Sequence, residues 1–417
     1  MSPFRKNLAY LIFAQGLNYL IPLLIFPYLA RILGAVNFGK LSFATTIVLY
    51  CCICIDFGFI FSATKKIAEL NRKNLPINQV FWDVLFAKLV IFLIVLLVVF
   101  IIGFTNEKIN DVFNIVIVLI PQMIASLIFP LWYFQAIENI KIILLSQVIA
   151  KLSILPLTFI LVKNSNDVLI AAIIQSMAFL IAASLSWIYI FKNSDISKPN
   201  TNVFNNFLVE IKDSSAFFLG GLAISVYTIS TPILIGFASS NYEVGIYSAA
   251  DKFRAAIAGI FIITGGAIFP RVNILFIENR ASAFLFLKKI LMVQVIILVF
   301  TCILYIKFGP SIIGIILGST YSESAKLTNP LAVALFCSVI SVILCNYILI
   351  PLGHKSLYYK IPLIVCILHV IYTWLLIKSF GSYGASLGIA ISEIVTILLL
   401  LVFCIKYGYL KELILAK

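Results

Sequence analysis

The sequence predicts an all-α integral membrane protein of about twelve transmembrane helices in two six-helix lobes, with both termini on the cytoplasmic side. Three observations predict it. Of the 417 residues, 63% are hydrophobic and 11% charged, which leaves too little polar surface to coat a water-facing globule. The hydrophobic residues fall in blocks of about twenty, the length an α-helix needs to cross a hydrocarbon core roughly 30 Å thick. The basic residues divide unevenly between alternate turns, as they do when one side faces the cytoplasm.

The first block, 8–33, follows Arg5 and Lys6. It is too long for the core of a secretory signal and no small-x-small cleavage site follows it, so it is expected to remain as the first helix. Helices two to six are expected at 41–61, 82–102, 112–134, 142–162 and 168–191. Helices seven to twelve are expected at 216–237, 244–269, 284–306, 328–350, 359–377 and 383–403. The longest polar stretch, 192–206, is rich in Asn, Ser, Lys and Pro and reads as a linker. The chain then divides into an N-lobe (1–191), a cytoplasmic linker (192–213) and a C-lobe (214–417). With the N-terminus inside, twenty-one of the 30 Lys and Arg residues belong to inner segments and nine to outer ones. Each lobe starts inside, as in parallel repeats related by an axis along the membrane normal. Gly39, Ser42 and Ala44 opening helix two are echoed by Gly245, Ser248 and Ala250 opening helix eight.

Several functions are excluded or disfavoured. A net charge of +14 invites a nucleic-acid partner, but the basic residues are scattered through short loops, so no nucleic acid is expected. All eight cysteines lie in apolar blocks, and Cys51-Cys52-x-Cys54 reads as packing rather than as a metal site. His354 and His369 are too few and too far apart for a metal site, and no cofactor is expected. Asp56-Phe57-Gly58 lacks every accompanying kinase element, and no Walker loop, zinc-protease motif or nucleophile elbow is present. The expectation is therefore a protein that is not an enzyme. Gly314-x-x-x-Gly318 and Gly384-x-x-x-Gly388 are spacings that permit close helix contact.

Charge at bilayer depth is costly, so an ionisable residue inside an apolar helix is a functional candidate by default. Asp251, Lys252 and Arg254 form the clearest cluster. If helix eight begins near Val244, they lie roughly 10 to 15 Å along it. Positions three apart share a face, so Asp251 and Arg254 can pair, while Lys252 and Arg254 point nearly oppositely. At most one of the two cations is then a free charge. A later helix start would leave all three in an outer turn instead. Arg31 and Lys40 bracket the turn after helix one, at a cavity mouth or as snorkelling helix ends. Asp56 reads as a proton or cation site, as a partner for a base in the lumen, or as a cap for the inner end of its helix. Lys151 and Glu393 fall near the middle of helices five and twelve. Gln15, Asn18, Gln122, Gln147, Gln175 and Asn346 supply groups that hydrogen-bond sugars or glue helices together.

Longer stretches resemble a known family. Asn7-Leu8-x-Tyr10-Leu11, Gln15-x-x-Asn18-Tyr19-Leu20-x-Pro22 and Pro27-Tyr28-Leu29-x-Arg31-x-Leu33-Gly34 with Phe38-Gly39 form the first group. Asp56-Phe57-Gly58-Phe59 with Ser62-Ala63-Thr64-Lys65-Lys66-Ile67-Ala68 forms the second. Pro130-Leu131-Trp132-Tyr133-Phe134-Gln135-Ala136-Ile137-Glu138 and Gly245-Ile246-Tyr247-Ser248-Ala249-Ala250-Asp251-Lys252 complete the set. In order and across nearly the whole chain, these resemble the Wzx-type polysaccharide flippases of the multidrug/oligosaccharidyl-lipid/polysaccharide exporter superfamily.

That resemblance implies a two-lobed MATE-like bundle around a central cationic cavity in a bacterial inner membrane. The implied cargo is an undecaprenyl-pyrophosphate-linked oligosaccharide repeat unit, of O-antigen or another surface polysaccharide, moved from the cytoplasmic to the periplasmic leaflet. Implied partners are this lipid-linked oligosaccharide, membrane lipids and other polysaccharide-assembly membrane proteins. Lys252, Arg254 and Arg31 are then expected to compensate the diphosphate charge. Competing readings are a multidrug or cation antiporter of the same superfamily, a flippase for a lipid II-type peptidoglycan precursor, and a membrane glycan polymerase. Scarce deep acids weigh against the antiporter, and short outer turns against the polymerase.

Overall fold

The structure is a computed structural model that describes residues 3–193, 196, 203–354 and 356–415. Their side chains are described too, apart from those of 3–15, 18–19, 203–205, 266–267, 270 and 358. Among the described residues the ordered elements are helices, with no strand. Eight of them are long and apolar enough to cross a membrane, and a bent pair makes a ninth. Their outward faces are apolar: on helix Asn78–Thr105, Leu93, Ile94, Leu97 and Ile101 are each more than half exposed. In water such a surface would cost far more than in hydrocarbon, and the chain is a multi-pass membrane protein.

Glycine and proline decide where the chain turns back. Helix Pro3–Asp56 is 54 residues long and, if straight, would run about 80 Å, well over twice the hydrocarbon thickness. It breaks at Gly34, where φ is 71°, a left-handed value that glycine adopts without steric cost. That is the turn expected between helices one and two. Helix Leu357–Lys406 breaks in the same way at Gly381, φ 57°. There the Glu243 carboxylate accepts the Ser382 N–H at 2.7 Å, an acceptor at the positive end of the helix that follows. Beyond the break, a Cβ on Gly384 would lie 2.0 Å from the Leu376 carbonyl, and one on Gly388 would lie 2.4 Å from Thr373 Oγ1. The Gly384/Gly388 spacing therefore packs a helix contact, whereas Gly314 faces open space and Gly318, φ 91°, ends its helix.

Other boundaries depart from the hydropathy blocks. Helix two stops at Asp56, because Phe57 and Gly58 both take positive φ. The chain restarts as helix Phe59–Arg72, amphipathic with Phe59, Ala63 and Ile67 buried, in what reads from sequence as a turn. The 112–134 block divides into Phe113–Val118, Ile120–Ile128 and Leu131–Ala136, since Pro121 and Pro130 each lack an N–H for the preceding turn. Helix Val203–Ile229 bends by 61° into Thr231–Ala238, with Pro232 in the first turn of the new helix. At 344–349 the helix widens to bonds spanning five residues, such as Ile350 N to Cys345 O at 2.9 Å.

The chain forms two compact units, 1–222 and 223–417, and the boundary falls inside helix Val203–Ile229. The first unit packs Phe59, Phe81, Trp132, Phe134 and Ile190 into one core. The second packs Leu287, Leu298, Leu335, Ile348 and Val365 into another. Of the stretch read as a linker, 194–195 and 197–202 lie outside the described residues, and from Val203 onward the chain is helical.

Candidate functional site

In the second unit, helix Asn241–Glu278 starts on Ser240, whose side-chain oxygen accepts the Glu243 N–H at 3.4 Å. Asp251, Lys252 and Arg254 follow Asn241 by ten to thirteen residues, about 15 to 20 Å along the axis. They lie within the helix, not in an outer turn. Arg254 Nε donates to Asp251 Oδ1 at 2.6 Å, and the side chains retain 11% and 24% exposure. Arg254 also interacts electrostatically with Glu393 of helix Leu357–Lys406, and Glu393 is buried. One guanidinium thus stands among two carboxylates, with the buried rings of Tyr247 and Tyr305 beside it. The Arg254–Asp251 pair is a hydrogen-bonded ion pair, the form in which charge persists in a low-dielectric setting. Arg254 is not a free cation. Lys252, on the other flank of the same helix, is exposed.

Next to Glu393 lies a polar knot that the sequence did not announce. His369 is fully buried, its Nδ1 within 2.7 Å of Ser392 Oγ and 3.2 Å of Thr373 Oγ1. The Tyr372 hydroxyl reaches the same Ser392 Oγ, which also donates to the Gly388 carbonyl at 2.8 Å. The Nε2 of His369 is buried without a hydrogen-bond partner among the described residues.

The first unit carries its own charges. Lys88 is 1% exposed and donates to Asp56 Oδ1 at 2.8 Å and to the Ser126 carbonyl at 2.5 Å. Asp56 is therefore the partner of a lysine buried in the protein, where the sequence reading offers a base in the lumen. Lys40 pairs with Asp111 at 2.6 Å, which ties the segment after Gly34 to the one between helices Asn78–Thr105 and Phe113–Val118. Nearby, the Tyr28 hydroxyl donates to the Val162 carbonyl at 2.6 Å and Asn37 to the Ser165 carbonyl at 2.7 Å. Arg31, one turn before Gly34, is exposed. Gln122 is buried and Lys151, Gln147 and Gln175 are half-buried in this unit, as is Asn346 in the other. The side chains of Gln15 and Asn18 lie outside those described.

Lys88 falls inside the 82–102 block. Its depth there was the available signal. A second hidden pair joins Lys66 to Glu210, 144 residues apart, and nothing local in the sequence connects the two.

Residues 4–275 match the family described as "Polysaccharide biosynthesis protein". The chain is 30% identical over 401 residues to the "Putative O-antigen transporter" of Escherichia coli (strain K12), covering 96% of each chain. It is 26% identical over 194 residues to the "Capsular polysaccharide biosynthesis protein CapF" of Staphylococcus aureus, covering 46% of this chain and 48% of that one. Among solved structures it resembles the lipid II flippase MurJ in an inward closed conformation, with a TM-score of 0.74 at 15% identity, over 97% of this chain and 89% of that one. It also resembles an inward-facing multidrug resistance MATE family transporter of the MOP superfamily, with a TM-score of 0.67 at 13% identity, over 94% and 98% of the two chains. At these identities the likeness is one of fold.

Proposed function

The chain belongs to the polysaccharide biosynthesis protein family, and from that premise we propose that it is a flippase for lipid-linked oligosaccharides. The cargo is an undecaprenyl-pyrophosphate-linked repeat unit of O-antigen or another surface polysaccharide. It passes from the cytoplasmic to the periplasmic leaflet of the bacterial inner membrane, and both termini of the protein face the cytoplasm. The work is transport, not catalysis.

The physical problem is a diphosphate with several sugars crossing hydrocarbon while its polyprenyl tail stays in lipid. Moving phosphate charge out of water is prohibitive unless cations replace the lost hydration. The observation that carries the reading is the arrangement on helix Asn241–Glu278. Asp251 pairs with Arg254, and Lys252 is left exposed on the same helix. Lys252 and the exposed Arg31 act as the cations of the pathway, and the paired Arg254 holds the helix that presents Lys252. The two lobes rock to open the pathway to one face and then the other. An inside-negative potential assists at about 2.3 kcal/mol per charge per 100 mV, so expelling two negative charges gains roughly 4 to 5 kcal/mol.

Deleting the gene tests the cargo. The expected result is a viable cell that has lost its surface polysaccharide and regains it when the intact gene is restored. Lysis would instead assign a peptidoglycan precursor. Unchanged polysaccharide with heightened drug sensitivity would assign a drug antiporter.

A further inference from the structure

Helix Tyr409–Leu415 does not prolong helix Leu357–Lys406. Gly408, φ 75°, breaks the run, and the short helix is tied instead to the start of helix Arg280–Leu317. Arg280 grips Glu412 with two hydrogen bonds, Nε to Oε2 at 2.8 Å and Nη2 to Oε1 at 2.7 Å. Its guanidinium lies over the rings of Phe284 and Tyr409, at 5.7 and 5.5 Å from their centroids. About two turns further along the same helix, Lys288 Nζ donates to the Ile414 carbonyl at 2.7 Å. His354 Nε2 lies 2.7 Å from the Tyr409 hydroxyl, and the His354 ring stacks on Tyr407 at 4.0 Å. Tyr409 is buried, and Leu410 and Leu413 pack on the core of the second unit.

These ties gather positive charge at one end of the unit. With Arg280 and Glu412 paired, the charges left in 278–292 and 403–415 are Lys288, Lys289, Lys406 and Lys411 against one acid, Glu278. Lys289, Lys406 and Lys411 are exposed. Beside them the short helix shows bare hydrocarbon, with Ile414 69% and Leu415 63% exposed. The same apolar surface runs on along both long helices. Val402 and Ile405 precede Lys406, and Val293 and Ile296 follow Lys289, each more than half exposed. The lysines therefore stand where the lipid-facing surface of each helix ends, which is the level of phospholipid headgroups. An acidic protein or a nucleic acid would match the charge but leave Ile414 and Leu415 uncovered. An anionic phospholipid matches both, since it carries a phosphate at the lysine level and acyl chains below it.

We propose that Lys289, Lys406 and Lys411, around helix Tyr409–Leu415, form a docking surface for an anionic phospholipid. The lysines hold its headgroup phosphate, and Ile414 and Leu415 lie against its acyl chains. The Arg280–Glu412 and Lys288–Ile414 bonds fix the short helix in place to receive it. The assignment does not depend on the cargo.

The test is local to this face. The full chain, with its eight native cysteines replaced, carries a fluorophore on Leu415→Cys in phosphatidylcholine vesicles without cargo. Phosphatidylglycerol or phosphatidylcholine bearing a nitroxide high on the acyl chain is added in trace amounts, and quenching by the two is compared. One lysine near an anionic lipid is worth about fivefold, so with three the expected preference for phosphatidylglycerol is roughly tenfold or more. Lys289→Gln, Lys406→Gln and Lys411→Gln together are expected to bring the two lipids level, whereas arginine at all three positions keeps the preference. Equal quenching in the parent overturns the proposal, and so does a preference that survives the triple glutamine variant. A fluorophore that neither lipid reaches, with the Leu415→Cys thiols of two copies forming a crosslink, assigns the face to a second copy of this chain and overturns it too. Should the triple variant fail to insert, Lys406→Gln with Lys411→Gln decides, its preference expected to fall well below the parent's.

Discussion

Replacing Arg254 with methionine is expected to lower the stability of the protein by about 3 to 5 kcal/mol, the usual cost of stranding a buried charge. The reason lies in its surroundings. Arg254 is the hydrogen-bonded partner of Asp251 and stands within electrostatic reach of the buried Glu393. Removing the guanidinium takes the hydrogen-bonded partner from Asp251 and the neighbouring cation from the buried Glu393. The effect is to be read as a fall in melting temperature in detergent and in the steady-state amount in the membrane. Combining Arg254→Met with Asp251→Asn and Glu393→Gln neutralises the site and is expected to restore most of the loss, since an uncharged replacement of a buried ionic cluster is often near neutral. If the single variant is as stable as the parent, the three charges do not form one unit. Charge reversal at Arg254 would place three acids together, so any defect in export it causes is confounded by loss of protein.

Lys252 permits the clean test of transport. It is exposed and its removal leaves no buried charge behind. At a separation of ~8 Å and an effective dielectric of ~20, one lysine attracts one phosphate charge by about 2 kcal/mol. Lys252→Gln loses that attraction, and Lys252→Glu adds a repulsion of similar size. The expected reductions in repeat-unit export are about thirtyfold for Gln and about a thousandfold for Glu, with protein levels unchanged. Equal export in the parent and both variants would remove Lys252 from the pathway.

The contrast between these two residues shows what a linear sequence discloses. That Asp251 and Arg254 can pair follows from helical geometry alone, because positions three apart lie on one face. That Glu393 completes the group depends on how helix Leu357–Lys406 packs on helix Asn241–Glu278, and no local pattern encodes that. The same limit hides Lys66 with Glu210 and Lys88 with Asp56, pairs that join different helices. Hydropathy located the apolar helices because lipid-facing residues such as Leu97 and Phe104 have no polar alternative. It passed over helix Phe59–Arg72, whose exposed Lys65 and Glu69 dilute the signal although Phe59, Ala63 and Ile67 are buried. It also missed the bend at Ser230, since Pro232 lies within an otherwise unbroken apolar block. The broken turns at Gly34 and Gly381 were easier, as glycine there interrupts the block next to a polar or aromatic cluster.

Hydration of Lys252 in the membrane is the point on which the electrostatic account turns. Lys252→Cys, in a background without reactive native cysteines, should be probed in intact membranes with a membrane-impermeant thiol reagent. The account predicts rapid labelling from the aqueous phase, slowed when a polyprenyl-pyrophosphate oligosaccharide is supplied. A thiol at 252 that stays unmodified while one at an outer-turn position reacts would contradict it.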